Sequence, residues 1–235
     1  DIVFICVGTP TKKGSLKVDL SFVNNSVREI LKYAKNKKII VTKSTVPVGS
    51  GDQIESILKK KKKLFTVISN PEFLREGDAI RDFRFPDRIV VGSNDKKVFR
   101  IMRKLYSPLI SKGAKFFTTT RRGAELVKYA SNAFLATKIT YINELANLCE
   151  KCDVNIEDIS LGMGLDNRIG SRFLRAGPAY GGSCFPKDTK GLVSAAEKYK
   201  INLSVVKSVI KSNLERVNLH TKRIHKILGS NLKNK

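Results

Sequence analysis

The sequence is poor in several residue types: among 235 residues it has no tryptophan, two methionines, two histidines and four cysteines. Four cysteines in a chain this long do not form a disulfide framework, so we expect reduced thiols and a cytoplasmic protein. The CxxC pair Cys149 and Cys152 has no second pair or neighbouring histidine, so we expect no metal site. No apolar run reaches the ~18 residues that a membrane helix needs, which predicts no membrane partner.

Acidic residues are also scarce, because 45 Lys and Arg stand against 21 Asp and Glu and give a formal net charge of +24. Such a charge makes a basic nucleic-acid-binding protein one alternative. The lysines are spread along the chain, however, with one dense run at 59–63 and no zinc-finger spacing or basic-aromatic reader motif. We therefore expect no nucleic-acid partner, and a lysine-rich surface compatible with a polyanionic small molecule such as a diphosphate.

In the first half of the chain, short apolar runs alternate with amphipathic stretches. The apolar runs predict strands at 2–7, 38–41, 64–68, 88–91 and 115–117. The amphipathic stretches predict helices over 21–34, from about 50 onward, and over 96–106. This alternation favours a parallel sheet with helices on both faces. The functional loops would then follow the strands, at 8–11, 44–48 and 70–76.

The pattern changes near Arg121, where the second half becomes helical. One long helix is predicted over 124–149, shorter ones over 156–161 and 187–199, and another long one over 204–228. The fold class is therefore α/β, with a parallel sheet followed by a helical domain.

The sharpest local motif is GGSCFPKD at 181–188. Cys184 lies near Lys187 and at the predicted start of a helix, where a thiolate nucleophile is favoured. A small buried cysteine in a turn is the alternative, and the residues alone leave both open. Arg168 and Arg175 lie in the same glycine-rich stretch. Their guanidinium groups could bind a phosphate or carboxylate through paired hydrogen bonds, or they could be ordinary surface arginines.

Two further pairs could carry chemistry. Lys128 and Asn132 are four residues apart on the long helix, so they project from one face and could stabilise an oxyanion. The alternative is an ordinary solvated pair. Glu72 and Glu76 follow the third predicted strand, where a carboxylate can act as a general base or merely cap a helix.

Seven short motifs follow one another along the chain in a defined order. They are CVGTPT at 6–11, STVPVG at 44–49, NPEFLREG at 70–77, PDRIV at 86–90, ELVKYASNAF at 125–134, RIG at 168–170 and GGSCFPKDT at 181–189. In these motifs and their order the chain resembles the nucleotide-sugar dehydrogenases over essentially its whole length, and its GGSCFPKD form is most similar to the UDP-glucose 6-dehydrogenase branch. The alternatives are the UDP-N-acetylmannosamine and GDP-mannose branches, and a non-catalytic relative that the retained candidate residues disfavour.

The resemblance implies the four-electron oxidation of UDP-glucose to UDP-glucuronate with two NAD⁺ per turnover. Cys184 would form a thiohemiacetal and then a thioester. Lys128 and Asn132 would stabilise the oxyanions. Asp188, with Thr45, would manage water and protons, and Glu72 would assist hydrolysis of the thioester. The cofactor side would hold Val7, Gly8, Thr9, Pro10, Thr11, Ser44, Thr45, Val46, Glu76 and Lys187. The substrate side would hold Glu72, Phe73, Leu74, Arg75, Lys128, Asn132, Arg168, Arg175, Tyr180 and Gly181.

The resemblance also implies a domain organisation. Residues 1–119 would be the C-terminal part of an NAD-binding Rossmann-like domain, and 120–228 a helical central domain that forms a homodimer through its long helix. Residues 229–235 would begin a linker to a further domain. The family's opening strand and GxGxxG loop are not among these residues, and Ala179 replaces a small residue that is often glycine. We therefore expect the fragment to keep the catalytic residues but bind NAD⁺ poorly and turn over little.

Overall fold

The computed structural model describes residues 1–12, 14–15 and 17–229 and divides into two compact units. The first unit is residues 1–130, and the second begins at Ser131. The predicted linker at 229–235 lies outside the described residues except for Gly229.

The first unit alternates strands and helices. Its elements are β1 (Ile2–Ile5), α1 (Ser21–Tyr33), β2 (Lys38–Thr42), α2 (Ser50–Ile57), a 3-10 helix (Lys59–Leu64), β3 (Phe65–Ser69), α3 (Ala79–Arg84), β4 (Arg88–Gly92), α4 (Lys97–Leu105), α5 (Ser107–Ile110) and β5 (Lys115–Thr119). Every predicted strand and helix of this half is present. The short elements α3, α5 and the 3-10 helix were not predicted, because segments of four to six residues show too little of a helical period.

The five strands form one sheet in the order β1-β2-β3-β4-β5. Pairing is parallel between β1 and β2, β2 and β3, and β4 and β5, as the alternating pattern predicts. The sheet is mixed because β3 and β4 meet antiparallel through the single pair Ser69 and Gly92. For β4 to run parallel to β3, the connection between them would have to cross over and pack on one face of the sheet. The helix of this connection, α3, has no buried residue, so it does not form such a crossover.

Both faces of the sheet are covered, and each face has its own core. Successive strand residues point to opposite faces, so Ile40 and Val41 of β2 enter different cores. The core under α1 and α2 contains Ile5, Val23, Val27, Ile40, Val46, Ile54, Leu58 and Val67. The core under α4 contains Val41, Ile68, Ile89, Val91, Val98, Met102, Tyr106 and Ala114. Because β1, β2 and β3 are parallel, the loops after them emerge at one edge of the sheet, as predicted.

The long helix α6 (Arg121–Cys152) starts in the first unit and continues into the second. The second unit then adds α7 (Ile156–Gly164), α8 (Phe185–Lys198) and α9 (Ser204–Leu228). Sequence periodicity predicted all four helices, with shifted ends. The side chain of Asn155 accepts a hydrogen bond from the Glu157 N–H and caps the start of α7. Across the described residues, no helix combines the length and the apolar character needed to cross a membrane.

Candidate active site

Hydrogen bonds join the loops that follow β1 and β2. The Thr9 hydroxyl donates to the Thr45 carbonyl at 2.8 Å, and the Ser44 hydroxyl donates to the Val7 carbonyl at 2.7 Å. A Cβ placed on Gly8 would meet no atom within 4 Å, so there is open space against the backbone there. The loops therefore form a fixed edge with room for a ligand at the carboxyl ends of parallel strands, where α/β proteins bind nucleotides.

The buried carboxylate of Glu125 anchors the turn between β2 and α2. One oxygen accepts from the Gly49 N–H at 2.7 Å, and the other accepts from the Gly51 N–H at 2.8 Å and the Ser69 hydroxyl at 3.3 Å. These N–H groups belong to the first turn of α2, where a negative charge is favourable. Burial nevertheless raises the pKa of Glu125, while the hydrogen bonds from both N–H groups act to lower it. Sequence analysis missed Glu125, although it opens the ELVKYASNAF segment.

Lys128 and Glu72 form an ion pair in the first unit. The Lys128 Nζ lies 3.3 Å from Glu72 Oε1 and 5.3 Å from the centre of the Phe73 ring. The other Glu72 oxygen accepts from the Leu74 N–H at 2.7 Å, which fixes the carboxylate. Lys128 is only 3% exposed, so interpreting it as a solvated lysine is wrong. The arrangement presents a cation and an oriented carboxylate, which suit oxyanion stabilisation and general-base chemistry.

A second lysine of the first unit, Lys43, was missed by sequence analysis. Its Nζ donates to Asn70 Oδ1 at 3.4 Å and lies 5.9 Å from the centre of the Tyr106 ring. The Tyr106 hydroxyl donates to the same Asn70 oxygen at 2.5 Å. Burial lowers the pKa of Lys43 to about 8, against the opposing effect of Glu72. Lys43 directly precedes the Ser44 motif, but in so lysine-rich a sequence nothing distinguished it.

In the second unit, a buried carboxylate is held by two donors. Asn132 Nδ2 donates to Asp188 Oδ2 at 2.6 Å, and Lys187 Nζ donates to Asp188 Oδ1 at 2.6 Å. Asp188 is 1% exposed and Asn132 is buried with it, so the interpretation of Asn132 as a solvated residue is also wrong. A carboxylate with an amide on one oxygen and an ammonium on the other has a fixed orientation for proton transfer.

Cys184 is exposed and directly precedes α8, so the small buried cysteine is the wrong alternative. Its Sγ lies 3.6 Å from the Ser183 hydroxyl, and its carbonyl accepts from the Asp188 N–H at 2.8 Å. All four cysteines are free. Of the CxxC pair, Cys149 is buried and Cys152 exposed, and the described residues contain no His, Cys, Asp and Glu group suited to a metal ion.

The remaining predicted residues differ in exposure. Arg75 pairs with Asp82 and Asp78, and Arg168 pairs with Asp166. A phosphate that bound either arginine would have to share it with these carboxylates. Glu76, Arg175 and Gly181 are exposed, Leu74 is half-buried and Tyr180 is buried.

Comparison with known protein families identifies the family of this chain. Residues 1–110 match the NAD binding domain of the UDP-glucose/GDP-mannose dehydrogenase family, and residues 122–215 match the central domain of the same family. The chain belongs to this family. The resemblance and the α/β fold class inferred from the sequence are therefore confirmed.

Individual members of the UDP-glucose/GDP-mannose dehydrogenase family are similar over almost the whole chain. The UDP-glucose 6-dehydrogenase of Rickettsia prowazekii is 52% identical over 233 residues, which is 99% of this chain and 54% of that protein. The UDP-glucose 6-dehydrogenase of Rhizobium meliloti is 47% identical over 237 residues, which is 99% of this chain and 54% of that protein. The chain thus spans about half the length of the curated relatives it matches.

A solved structure of the family has the same fold. The UDP-glucose dehydrogenase of the hyperthermophilic archaeon Pyrobaculum islandicum is 35% identical and superposes with a TM-score of 0.91, over 97% of this chain and 54% of that one. Residues 1–110, which match the family's NAD binding domain, lie within the first unit of our structure.

Proposed function

We propose that this chain is part of an NAD-dependent UDP-glucose 6-dehydrogenase. The observation that carries the proposal is the arrangement around α8. An exposed free thiol, Cys184, precedes the helix, and four residues later the buried Asp188 is held by Asn132 and Lys187. Relatives about 50% identical that bear the name UDP-glucose 6-dehydrogenase support this choice of substrate over the sister branches.

The first oxidation converts the C6 alcohol of the sugar to an aldehyde. The alcohol loses its hydroxyl proton to a base and a hydride from carbon. In the proposal Asp188, with Thr45, orients water and accepts that proton, because a carboxylate fixed by two donors keeps one geometry throughout the transfer.

The second oxidation uses the thiol. Cys184 Sγ attacks as the thiolate and forms a bond to the aldehyde carbon while the C=O π bond breaks, and the carbonyl oxygen becomes an oxyanion that Lys128 and Asn132 stabilise. Loss of a second hydride from that carbon leaves a thioester. Water, deprotonated by Glu72, then attacks the thioester carbon, the C–S bond breaks and the thiolate is released with the carboxylate product. One water enters and two hydrides leave per sugar, so the oxidation transfers four electrons.

The cofactor would be held at the edge formed by residues 7–11 and 44–46, with Glu76 and Lys187 as further contacts. When bound, NAD⁺ supplies the acceptor for each hydride. The open space at Gly8 and the fixed Thr9–Thr45 hydrogen bond fit a group lying against this backbone. On the substrate side we propose Phe73, Leu74, Arg75, Arg168, Arg175, Tyr180 and Gly181, of which the arginines suit the diphosphate.

The test is NADH formation by the full-length gene product, with a Cys184→Ser variant beside it. We expect two NADH per UDP-glucose and a loss of at least about a thousandfold in kcat for the variant, because a hydroxyl is a far weaker nucleophile. Turnover of GDP-mannose or UDP-N-acetylmannosamine instead would overturn the substrate assignment alone. Full activity of Cys184→Ser would overturn the mechanism.

We also propose that the chain forms a homodimer through α6. Phe134, Tyr141 and Leu148 recur at seven-residue steps and are 65%, 51% and 58% exposed, a stripe suited to a second copy of the helix. The mass in solution, measured by light scattering, should be that of a dimer, and Tyr141→Glu should shift it toward the monomer. A monomeric parent protein would refute the proposal.

A further inference from the structure

The glycine-rich segment before Cys184 is held by side chains of neighbouring helices. Asn213 of α9 faces the backbone of Tyr180 with both ends of its amide. Its Oδ1 accepts from the Tyr180 N–H at 2.8 Å, and its Nδ2 donates to the Tyr180 carbonyl at 3.0 Å. Asn213 is 9% exposed and Tyr180 is 7% exposed, so water competes little for either bond. Buried polar groups of this kind are costly to leave unpaired.

The same segment is held three residues earlier, at Gly177. The Gly177 N–H donates to Asn143 Oδ1 at 2.8 Å, and its carbonyl accepts from Arg216 Nε at 2.6 Å. Arg216 is itself fixed, because Nη1 donates to the Asn143 carbonyl at 2.7 Å and to Asn147 Oδ1 at 2.9 Å. Both backbone groups of Gly177 and both of Tyr180 are therefore bound by helix side chains.

Beyond Tyr180 the next fixed point is Phe185, the first residue of α8. The Tyr180 and Phe185 rings pack edge to face with centroids 6.1 Å apart, and Thr189 Oγ1 donates to the Phe185 carbonyl at 2.8 Å. The four residues between these points, 181–184, are all exposed, and Gly182 has a left-handed φ of +72°. Cys184 thus lies on a short, glycine-containing bridge whose geometry depends on its two ends.

We infer that Asn213, supported by Arg216, is a positioning residue for the Cys184 thiol. This inference rests on the proposed role of Cys184 as nucleophile. Asn213 acts indirectly, through Tyr180, whose backbone it binds by two hydrogen bonds. Tyr180 in turn is covalently joined to the bridge at Gly181 and packs its ring against Phe185 at the other end. Nucleophilic attack needs the reacting atoms within a few tenths of an ångström of their productive placement, so freeing one end of the bridge lowers the rate more than the affinity.

The experiment compares Asn213→Ala and Arg216→Lys with the matched controls Asn218→Ala and Arg223→Ala on the same helix. Asn218 is exposed, and Arg223 pairs with Glu150 near the surface. In the full-length protein, kcat and KM are measured with UDP-glucose. The rate of iodoacetamide labelling of each cysteine is followed by peptide mass spectrometry. Cys149 is buried and provides an internal control for general loosening of the fold.

We expect Asn213→Ala to lower kcat about 10- to 100-fold with KM changed less than about threefold. Labelling of Cys184 should slow at least about threefold, because the thiol loses its fixed place at the start of α8, while Cys149 stays protected. Arg216→Lys should have a smaller effect of the same kind, and both controls should stay within about twofold of the parent protein.

Several results would overturn the inference. Unchanged kcat and Cys184 labelling in a folded Asn213→Ala protein would do so, and so would faster labelling of Cys149 in step with the loss of activity, which indicates a purely structural role. If Asn213→Ala fails to fold, the milder Arg216→Lys decides by the same readouts. Labelling needs no substrate, so it tests positioning even if the parent protein does not oxidise UDP-glucose.

Discussion

The two units hold their functional loops by different chemistry. In the first unit, the carboxylate of Glu125 only accepts, taking the N–H groups of Gly49 and Gly51 at the start of α2. In the second unit, Asn213 and Arg216 also donate, so that carbonyl groups of the loop are bound as well as N–H groups. The first anchor carries a charge that can titrate, whereas the second consists of a neutral amide and a guanidinium that stays charged.

The difference follows from what precedes each loop. A loop that leaves a parallel strand is already placed by the sheet ladder, and the N–H groups at the start of its following helix are what lack partners. A loop between two helices has no ladder, so both its donors and its acceptors need side chains. An irregular segment such as 168–184 therefore requires amide and guanidinium groups on the helices beside it.

The largest expected effect is the loss of kcat on replacing Asp188, and it is compared with the loss on replacing Glu72. Asp188→Asn should lower kcat by about a thousandfold and Glu72→Gln by about 10- to 100-fold, because Asp188 is fixed by two donors and 1% exposed, whereas the Glu72 side chain is 26% exposed. Steady-state NADH formation measures both variants. Glu150→Gln, an exposed carboxylate on α6, is the control. Equal losses for the two would show that burial does not distinguish their roles.

Removing the first anchor should cost stability. Glu125→Ala leaves the Gly49 and Gly51 N–H groups without their acceptor, and we expect the free energy of unfolding to fall by about 3 kcal/mol. Glu125→Gln keeps one acceptor oxygen and should cost less. Urea unfolding gives the totals, and hydrogen exchange should accelerate at the start of α2 before it does in α9. Uniform acceleration in both units would contradict a local anchor.

We expect Lys43, in the first unit, to make the free energy of unfolding depend on pH. The pKa of Lys43 is lowered to about 8 by burial, next to Glu72, Cys6 and Lys128. Between pH 8 and about 10.5 the unfolded chain holds a proton at this residue that the folded chain has lost. Lys43 therefore makes stability rise with pH across this window, by up to roughly 3 kcal/mol, and below pH 8 its burial cost is constant.

The measurement is urea unfolding of the parent protein and Lys43→Met at several pH values from 7 to 10.5. Lys43→Met should flatten the rise in stability and make the protein more stable at pH 7. Asn213→Ala should leave the slope unchanged, because an amide does not titrate. A parent protein whose stability is no more pH-dependent than that of Lys43→Met would exclude the effect.

The smallest expected effect comes from an ion pair near the surface of the second unit. Arg223→Ala breaks the pair with Glu150 and should change stability by less than about 1 kcal/mol, since water and salt screen such pairs. Arg121→Ala in the first unit removes a buried guanidinium bound to Asp52 and Glu55 and should cost about 3 kcal/mol. Thermal melts would compare the two, and similar shifts would show that burial is not the deciding factor.

The sequence predicted most of the fold because its signals are local. The five apolar runs became the five strands, and the 3.6-residue period of 124–149 and 204–228 became α6 and α9. The antiparallel join of β3 and β4 escaped prediction, because strand direction depends on whether the connection covers a sheet face, and α3 does not. Spacing also brought out the candidates Cys184, Lys128 and Asn132, but not whether they were exposed or buried.

By itself, then, the sequence determined the order of elements, the family resemblance and the candidate nucleophile, because motif spacing and side-chain period are written along the chain. Only the tertiary structure showed that Lys128 and Asn132 are buried against carboxylates. It also showed that Lys43 is a partly desolvated lysine and that Asn213 hydrogen-bonds to the Tyr180 backbone. The partners in these contacts lie between about 30 and 60 residues apart. Residues so distant in sequence come into contact only when strands and helices pack, so no local sequence pattern could predict these contacts.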